Sequence, residues 1–205
     1  MTPTQIETMA RRQYNAVGDT FFSQAEINDY IYKAQMEFCK HAFMLKKTYS
    51  TTTVADQKEY SMPSQTIAIK RLEVDGYKVE PISFNENDDL TVLNDASALA
   101  GNTDYYYQWG TSFFFTTAPT TTGLTIKVYT YSMPQPVDTT STIEVAEEYH
   151  LDIVTYVLMQ MALKDENAPA ARAYEVTWLK ALSDARRLER RKQSADSFKR
   201  VRMAD

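Results

Sequence analysis

The sequence predicts an α+β protein, with helices opening and closing the chain and strands filling its middle. Two changes of period carry that reading. Apolar residues recur at helical spacing before about residue 46 and again after about residue 143, whereas residues 47–133 alternate and are rich in threonine, tyrosine, valine and isoleucine. The length is the third observation, since 205 residues suit one large domain or two small ones. The economical arrangement brings the first and last helices together as a bundle, with an antiparallel, sandwich- or barrel-like β domain inserted between them. The expected division is 1–46 for the N-terminal helices, 47–133 for the β domain, 134–192 for the C-terminal helices and 193–205 for an extended basic tail.

Thr4 is the expected cap of a first helix carrying Ile6, Met9, Ala10 and Gln13-Tyr14, which Gly18-Asp19 breaks. Ser23-Gln24-Ala25-Glu26 has the form of a capping box, in which the two side chains satisfy orphan N–H groups. A helix of about 22 residues follows, with Ile27, Tyr30, Ile31, Ala34, Phe38, His41 and Leu45 on one face. Thr48 to Val54 reads as a strand, Asp56-Gln57-Lys58 as a turn, and Glu59-Tyr60-Ser61 as a short return ended by Pro63. Ile67 to Val74 and Tyr77 to Ile82 flank Asp75-Gly76, the pair that a type I′ turn favours because both central residues need positive φ. Phe84 to about Leu99 suggests a short helix, followed by a loop to Asp104. Tyr105 to Trp109 and Ser112 to Thr116 form a second hairpin around Gly110-Thr111. Their seven aromatics must cover both faces of a sheet, because successive strand side chains point opposite ways. Leu124 to Tyr131 alternates cleanly, which makes about seven strands in all. Ile143 to Leu163 reads as a helix apolar on more than one face, and Pro169 to about Lys192 as the last. No coiled-coil heptad run of useful length is expected.

The apolar fraction of 43% and charged fraction of 24% are those of a soluble globular protein. No apolar run approaches the roughly 18 residues a membrane span needs, and Met1 to Gln5 do not resemble a signal peptide. A single cysteine, Cys39, excludes an intrachain disulfide and a cysteine-cluster zinc site, and a core or interface place is expected for it. His41 and His150 leave little for metal or general-base chemistry, and His150 is expected to pair with Glu147 one helical turn away. Glu86, Asp88 and Asp89 lack a calcium-loop pattern and read better as a solvated helix start. No phosphate loop, dinucleotide fingerprint, zinc-protease helix or nucleophile elbow is present. No catalytic residue, metal or cofactor is therefore expected, and the chain does not read as an enzyme.

The charge is uneven. Residues 180–205 hold nine basic and four acidic groups, leaving thirteen basic against twenty-three acidic in the rest, net −10. Complementing a helix dipole explains two or three of those nine, each worth roughly tenths of a kcal/mol. Nucleic acid is a second reading, opposed by the acidic body and by the lack of interleaved aromatics for stacking. An acidic protein partner is the third, with Phe198, Val201 and Met203 as apolar anchors between charges.

The order of parts resembles the head-to-tail adaptor, or gatekeeper, proteins of short-tailed bacteriophages. The resemblance lies in the helical start around Ile27 to Leu45, and in a β insertion opening with Thr48-Tyr49-Ser50 and Glu59-Tyr60-Ser61-Met62-Pro63. It extends to the run Ile69 to Gly76, the hairpin through Trp109, the strand Leu124 to Tyr131, and two closing helices with a basic tail. It implies a structural virion protein, made in the host cytoplasm, that forms a ring of about twelve copies beneath the portal protein. The ring extends the channel through which double-stranded DNA passes without specific binding. It also offers attachment to the tail nozzle and fibres, and no membrane is involved. Carried onto this chain, the portal-binding element is Arg186, Arg187, Arg190, Arg191, Lys192, Phe198, Lys199, Arg200, Val201, Arg202 and Met203. Two other readings remain open at this point: another tail ring, such as a stopper or tail terminator, or a carbohydrate- or protein-binding module using the aromatic hairpin with Tyr106 and Trp109 exposed.

Overall fold

The computed structural model describes residues 1–85 and 105–201, with side chains to Lys192. Contacts divide the chain into two compact units, Met1–Leu45 with Met133–Asp205, and Lys46–Ser132.

The first unit is helical. Helix α1 spans Pro3–Gln13 and α2 spans Gln24–Ala42. The cap of α1 is Thr2 rather than Thr4. Thr2 and Gln5 close a reciprocal capping box, and Pro3 takes the first turn, where its missing N–H costs nothing. Ser23 and Glu26 close the expected box on α2. Arg11 ties the intervening turn down, donating to Glu7 Oε1 at 2.8 Å, Asp19 O at 2.9 Å and Phe22 O at 2.6 Å. Helix α2 ends short of Leu45 because Phe43 adopts the left-handed conformation, φ 52°, and returns its N–H to Cys39 O. Ile27, Ile31, Ala34, Phe38 and Cys39 are fully buried, whereas His41, expected on that apolar face, lies exposed beside Glu37 at 3.1 Å.

The next helix starts later than its apolar pattern suggests. A 3-10 turn, Glu147–Tyr149, leads into α3, His150–Lys164, so residues 143–146 are not helical. The reason lies far off in sequence. Gln35 is fully buried on α2, and its Oε1 accepts the backbone N–H groups of Glu144 at 2.8 Å and Val145 at 3.3 Å. Those amides face a side chain rather than an i−4 carbonyl, and the chain enters α3 only afterwards. His150 does not pair directly with Glu147. Its Nε2 faces Val145 O at 2.9 Å and its Nδ1 faces the Met1 amino group at 2.6 Å, which in turn lies 3.7 Å from Glu147. Helix α4, Ala168–Val201, runs nine residues past its expected end at Lys192, so residues 193–201 are helical backbone rather than an extended tail. No glycine or proline follows Pro169, and the added stretch is dominated by residues that tolerate a helix. Helices α1 and α2 each pack on α3, and α2 and α3 on α4. Phe38 sits where three elements converge, its ring 5.3 Å from Tyr149 and 4.8 Å from Trp178.

The second unit is one curled seven-stranded sheet, a half-barrel, rather than two facing sheets. Its strands are β1 Lys46–Thr52, β2 Glu59–Ser61, β3 Thr66–Val74, β4 Tyr77–Pro81, β5 Tyr105–Trp109, β6 Ser112–Phe115 and β7 Thr125–Ser132. Their order is β1-β7-β3-β4-β5-β6-β2. The β3–β4 hairpin turns on Asp75 and Gly76, both at positive φ, 50° and 85°, as a type I′ turn requires. One pair departs from the antiparallel expectation. Glu80 and Pro81 pair in parallel with Tyr105 and Tyr106. The long connection between β4 and β5 permits this, since only a tight hairpin forces antiparallel neighbours. Register shifts in β3 between Thr66 and Ala68 and between Ile69 and Arg71 add twist and help the sheet curl. The inner face gathers Tyr60, Leu72, Val79, Tyr106, Phe113, Phe115, Ile126 and Val128. The β5–β6 aromatics divide as the strand period demands: Tyr106, Phe113 and Phe115 point inward, while Tyr107 stacks on Phe114 at 5.2 Å on the other face. The short helix expected from Phe84 to Leu99, with its acids Glu86, Asp88 and Asp89, lies outside the described residues beyond Asn85.

Candidate interaction surface

Helix α4 carries the basic residues, and its start shows why it forms. Asn167 Oδ1 accepts the N–H of Ala170 at 3.3 Å, its carbonyl accepts that of Ala171 at 3.0 Å, and Pro169 occupies the first turn. One face then packs inward through Ala171, Trp178, Ala185 and Glu189, each no more than 5% exposed. Burial of that face fixes the rotation of the helix. Arg186, Arg187, Arg190 and Arg191 are therefore turned outward, and all four are exposed.

These arginines form two rows one helical turn deep, Arg186 with Arg190 and Arg187 with Arg191, and with Ser183 they line one shallow depression. Arg187 holds Asp184 at 3.1 Å within the same helix. An exposed pair of this kind contributes little to stability, about 0.3–0.5 kcal/mol, so the row is not explained by holding α4 together. Lys192 behaves differently. Its Nζ donates to Glu189 Oε1 at 2.9 Å and to Glu148 Oε1 at 3.2 Å, and the first of these bonds raises its pKa above the ordinary lysine value. Lys192 thus ties α4 to the 3-10 turn, and its charge is spent inside the unit. Glu189, 5% exposed, is buried with that partner in reach. Phe198, Lys199, Arg200 and Val201 lie on helical backbone with side chains outside the described part, and Arg202 and Met203 lie outside the described residues.

Two features of α4 escape a reading of charge alone. Val176 and Leu179 are apolar yet 70% and 56% exposed. The signal that could have found them is their place in line with Arg172, Ser183, Arg186 and Arg190.

The aromatic hairpin does not offer the pair of rings a sugar platform was expected to use. Tyr106 is buried, and burial pushes its hydroxyl pKa up to about 12. Trp109 is 61% exposed with Phe84 packed 4.8 Å from it. Cys39 is buried in the core of the helical unit. Among the described residues no group of three or more histidine, cysteine or acidic side chains is placed to hold a metal, and no helix is long and apolar enough to cross a membrane.

The family model described as SU10 adaptor protein matches residues 1–203. No curated protein matches the chain. The match covers both the helical unit and the sheet, including the whole of α4 with its arginine rows. The chain belongs to the SU10 adaptor protein family and is a bacteriophage structural adaptor.

Proposed function

We propose that this chain forms the head-to-tail adaptor ring of a virion, about twelve copies docked beneath the portal, where closed head-to-tail contacts give a ring rather than a filament. The single observation that carries the reading is the adaptor-family match over residues 1–203. The exposed arginine rows on α4 support a role for the C-terminal segment in holding the portal. In this reading Arg186, Arg187, Arg190 and Arg191 make the charged contacts, and residues 193–203 extend them through Phe198, Lys199, Arg200, Val201, Arg202 and Met203. Lys192 positions the helix rather than touching the partner.

The helices of residues 1–45 and 133–192 build the ring, and the sheet of residues 46–132 meets the tail nozzle and fibres. The net charge of −10 outside the C-terminal segment suits a channel that double-stranded DNA slides through, because a basic lumen would hold its phosphates. The test is co-sedimentation with the portal ring of the same virus. Saturable binding near one copy per portal subunit, lost on removing residues 193–205 from a chain that remains folded, supports the reading. An intact chain that does not bind contradicts it.

A further inference from the structure

The outward side of α4 has an order that charge alone does not use. Arg172, Val176, Leu179, Ser183, Arg186 and Arg190 are all exposed and follow one another at alternating steps of four and three residues. Those steps average 3.6 residues, the period of the helix itself, so the six side chains stand in one straight row along a single face. The line runs for about 27 Å at 1.5 Å per residue. Its centre is apolar, with Val176 and Leu179 at 70% and 56% exposure, and its ends are cationic. Exposed apolar side chains scattered singly need no explanation, but two set in line between arginines on one helix face make a seam.

We propose that this seam docks an amphipathic acidic helix of a partner protein, with apolar residues against Val176 and Leu179 and carboxylates against Arg186 and Arg190. The inference rests on the adaptor reading only in taking the portal as the protein that supplies the helix. A helix fits better than DNA on two grounds. Phosphates give Val176 and Leu179 nothing to bury against, whereas a helix lying in a groove anchors at this spacing. Carboxylates one turn apart on such a helix also match the one-turn separation of Arg186 and Arg190, and the guanidinium fork takes a carboxylate in two parallel bonds. The acids nearby do not fill that role. Asp184 is engaged with Arg187, and Glu175 flanks the far end beside Arg172, along the groove that Met159 and Leu163 share. Arg186 and Arg190 make no ion pair with a described residue.

The test uses the full chain and two probes: a synthetic amphipathic helix with a leucine centre and glutamate ends, and a short DNA duplex. Methyl NMR of Val176 and Leu179 reports occupancy of the seam. The expected result is saturable peptide binding that shifts both methyl groups. The affinity should fall at least about tenfold for Leu179→Asp and for the double variant Arg186→Glu/Arg190→Glu. All three side chains are exposed, so circular dichroism should show unchanged folding. A peptide that leaves the methyl signals unmoved, or a duplex that occupies the seam in its place, overturns the proposal. Portal co-sedimentation of the same variants separates the two claims. If the intact chain and the variants bind the portal equally, the seam is not the contact and the adaptor reading stands. If the intact chain fails to bind the portal while the peptide occupies the seam, the adaptor reading falls and the seam stands.

Discussion

Proline placed at successive positions of the edge strand β1 should give sharply different costs. The ladder parity can be worked out from two backbone bonds. Thr53 N–H donates to Leu124 O at 2.8 Å, and Asp75 N–H donates to Thr125 O at 2.8 Å. The second bond shows that Thr125, Lys127 and Tyr129 turn their backbone groups toward β3, so Ile126, Val128 and Thr130 face β1. Tyr49 and Thr51 then bond across to Val128 and Ile126, while Thr48, Ser50 and Thr52 direct their N–H groups away from the sheet. Ser50 and Thr51 are both exposed, so neither loses a packed side chain. Thr51→Pro removes one ladder bond and strands the Ile126 carbonyl, which together cost about 2–4 kcal/mol. Ser50→Pro removes no ladder bond and costs about 1 kcal/mol, the span of strand preferences. The difference of about 2 kcal/mol is about thirtyfold in the unfolding equilibrium, or about 1 M in a urea midpoint. Hydrogen exchange of the unmodified chain should show the same parity, with Ser50 exchanging fast and Thr51 slowly. Equal costs for the two prolines, or the reverse order, would refute the register.

Two further outcomes follow from buried and paired groups. Gln35→Leu should leave the Glu144 and Val145 amides unpaired, costing about 2–3 kcal/mol in a thermal or urea melt. Removing Gln35 Nε2, itself buried without a partner, offsets part of that cost, and a variant no less stable than the original chain would contradict the pairing. The Glu26 carboxyl is pulled down to about 2, first by the Lys164 ammonium bonded to it at 2.7 Å and then by Ser23. Its folded pKa lies below its ordinary value of 4.5, so its contribution is fully present above that value and is lost as the pH falls toward about 2. An NMR titration should place its midpoint near the lower value, and Lys164→Met should return it toward the ordinary carboxylate range. A midpoint unmoved by that substitution would contradict the assignment of cause.

The parts of this fold that were readable in the sequence depend on neighbours a few residues apart. Ser23 and Glu26 cap their own helix, and Asp75-Gly76 closes its own turn, so local chemistry names them. The parts that were not readable depend on distant partners. The delayed start of α3 is imposed by Gln35, 109 residues before Glu144. The parallel β4–β5 pair is a choice of neighbour that no alternation pattern encodes. The far end of α4 is polar and basic with no apolar period to mark it as helix, yet it contains nothing that breaks one, and the helix continues to Val201. The arginine rows were visible as a cluster. Their orientation was not, because it is set by Trp178 and Ala185 packing into the core from the inward face of the helix. Lys192 belonged by charge with the arginines and by structure with Glu148 and Glu189.

Electron microscopy of the portal ring incubated with the full chain is the decisive test of ring docking. A second ring of density should be seated against the portal, with the C-terminal end of α4 at the junction and added mass near one copy per portal subunit. Bare portal rings at saturating chain, or density attached away from the portal channel axis, would contradict it.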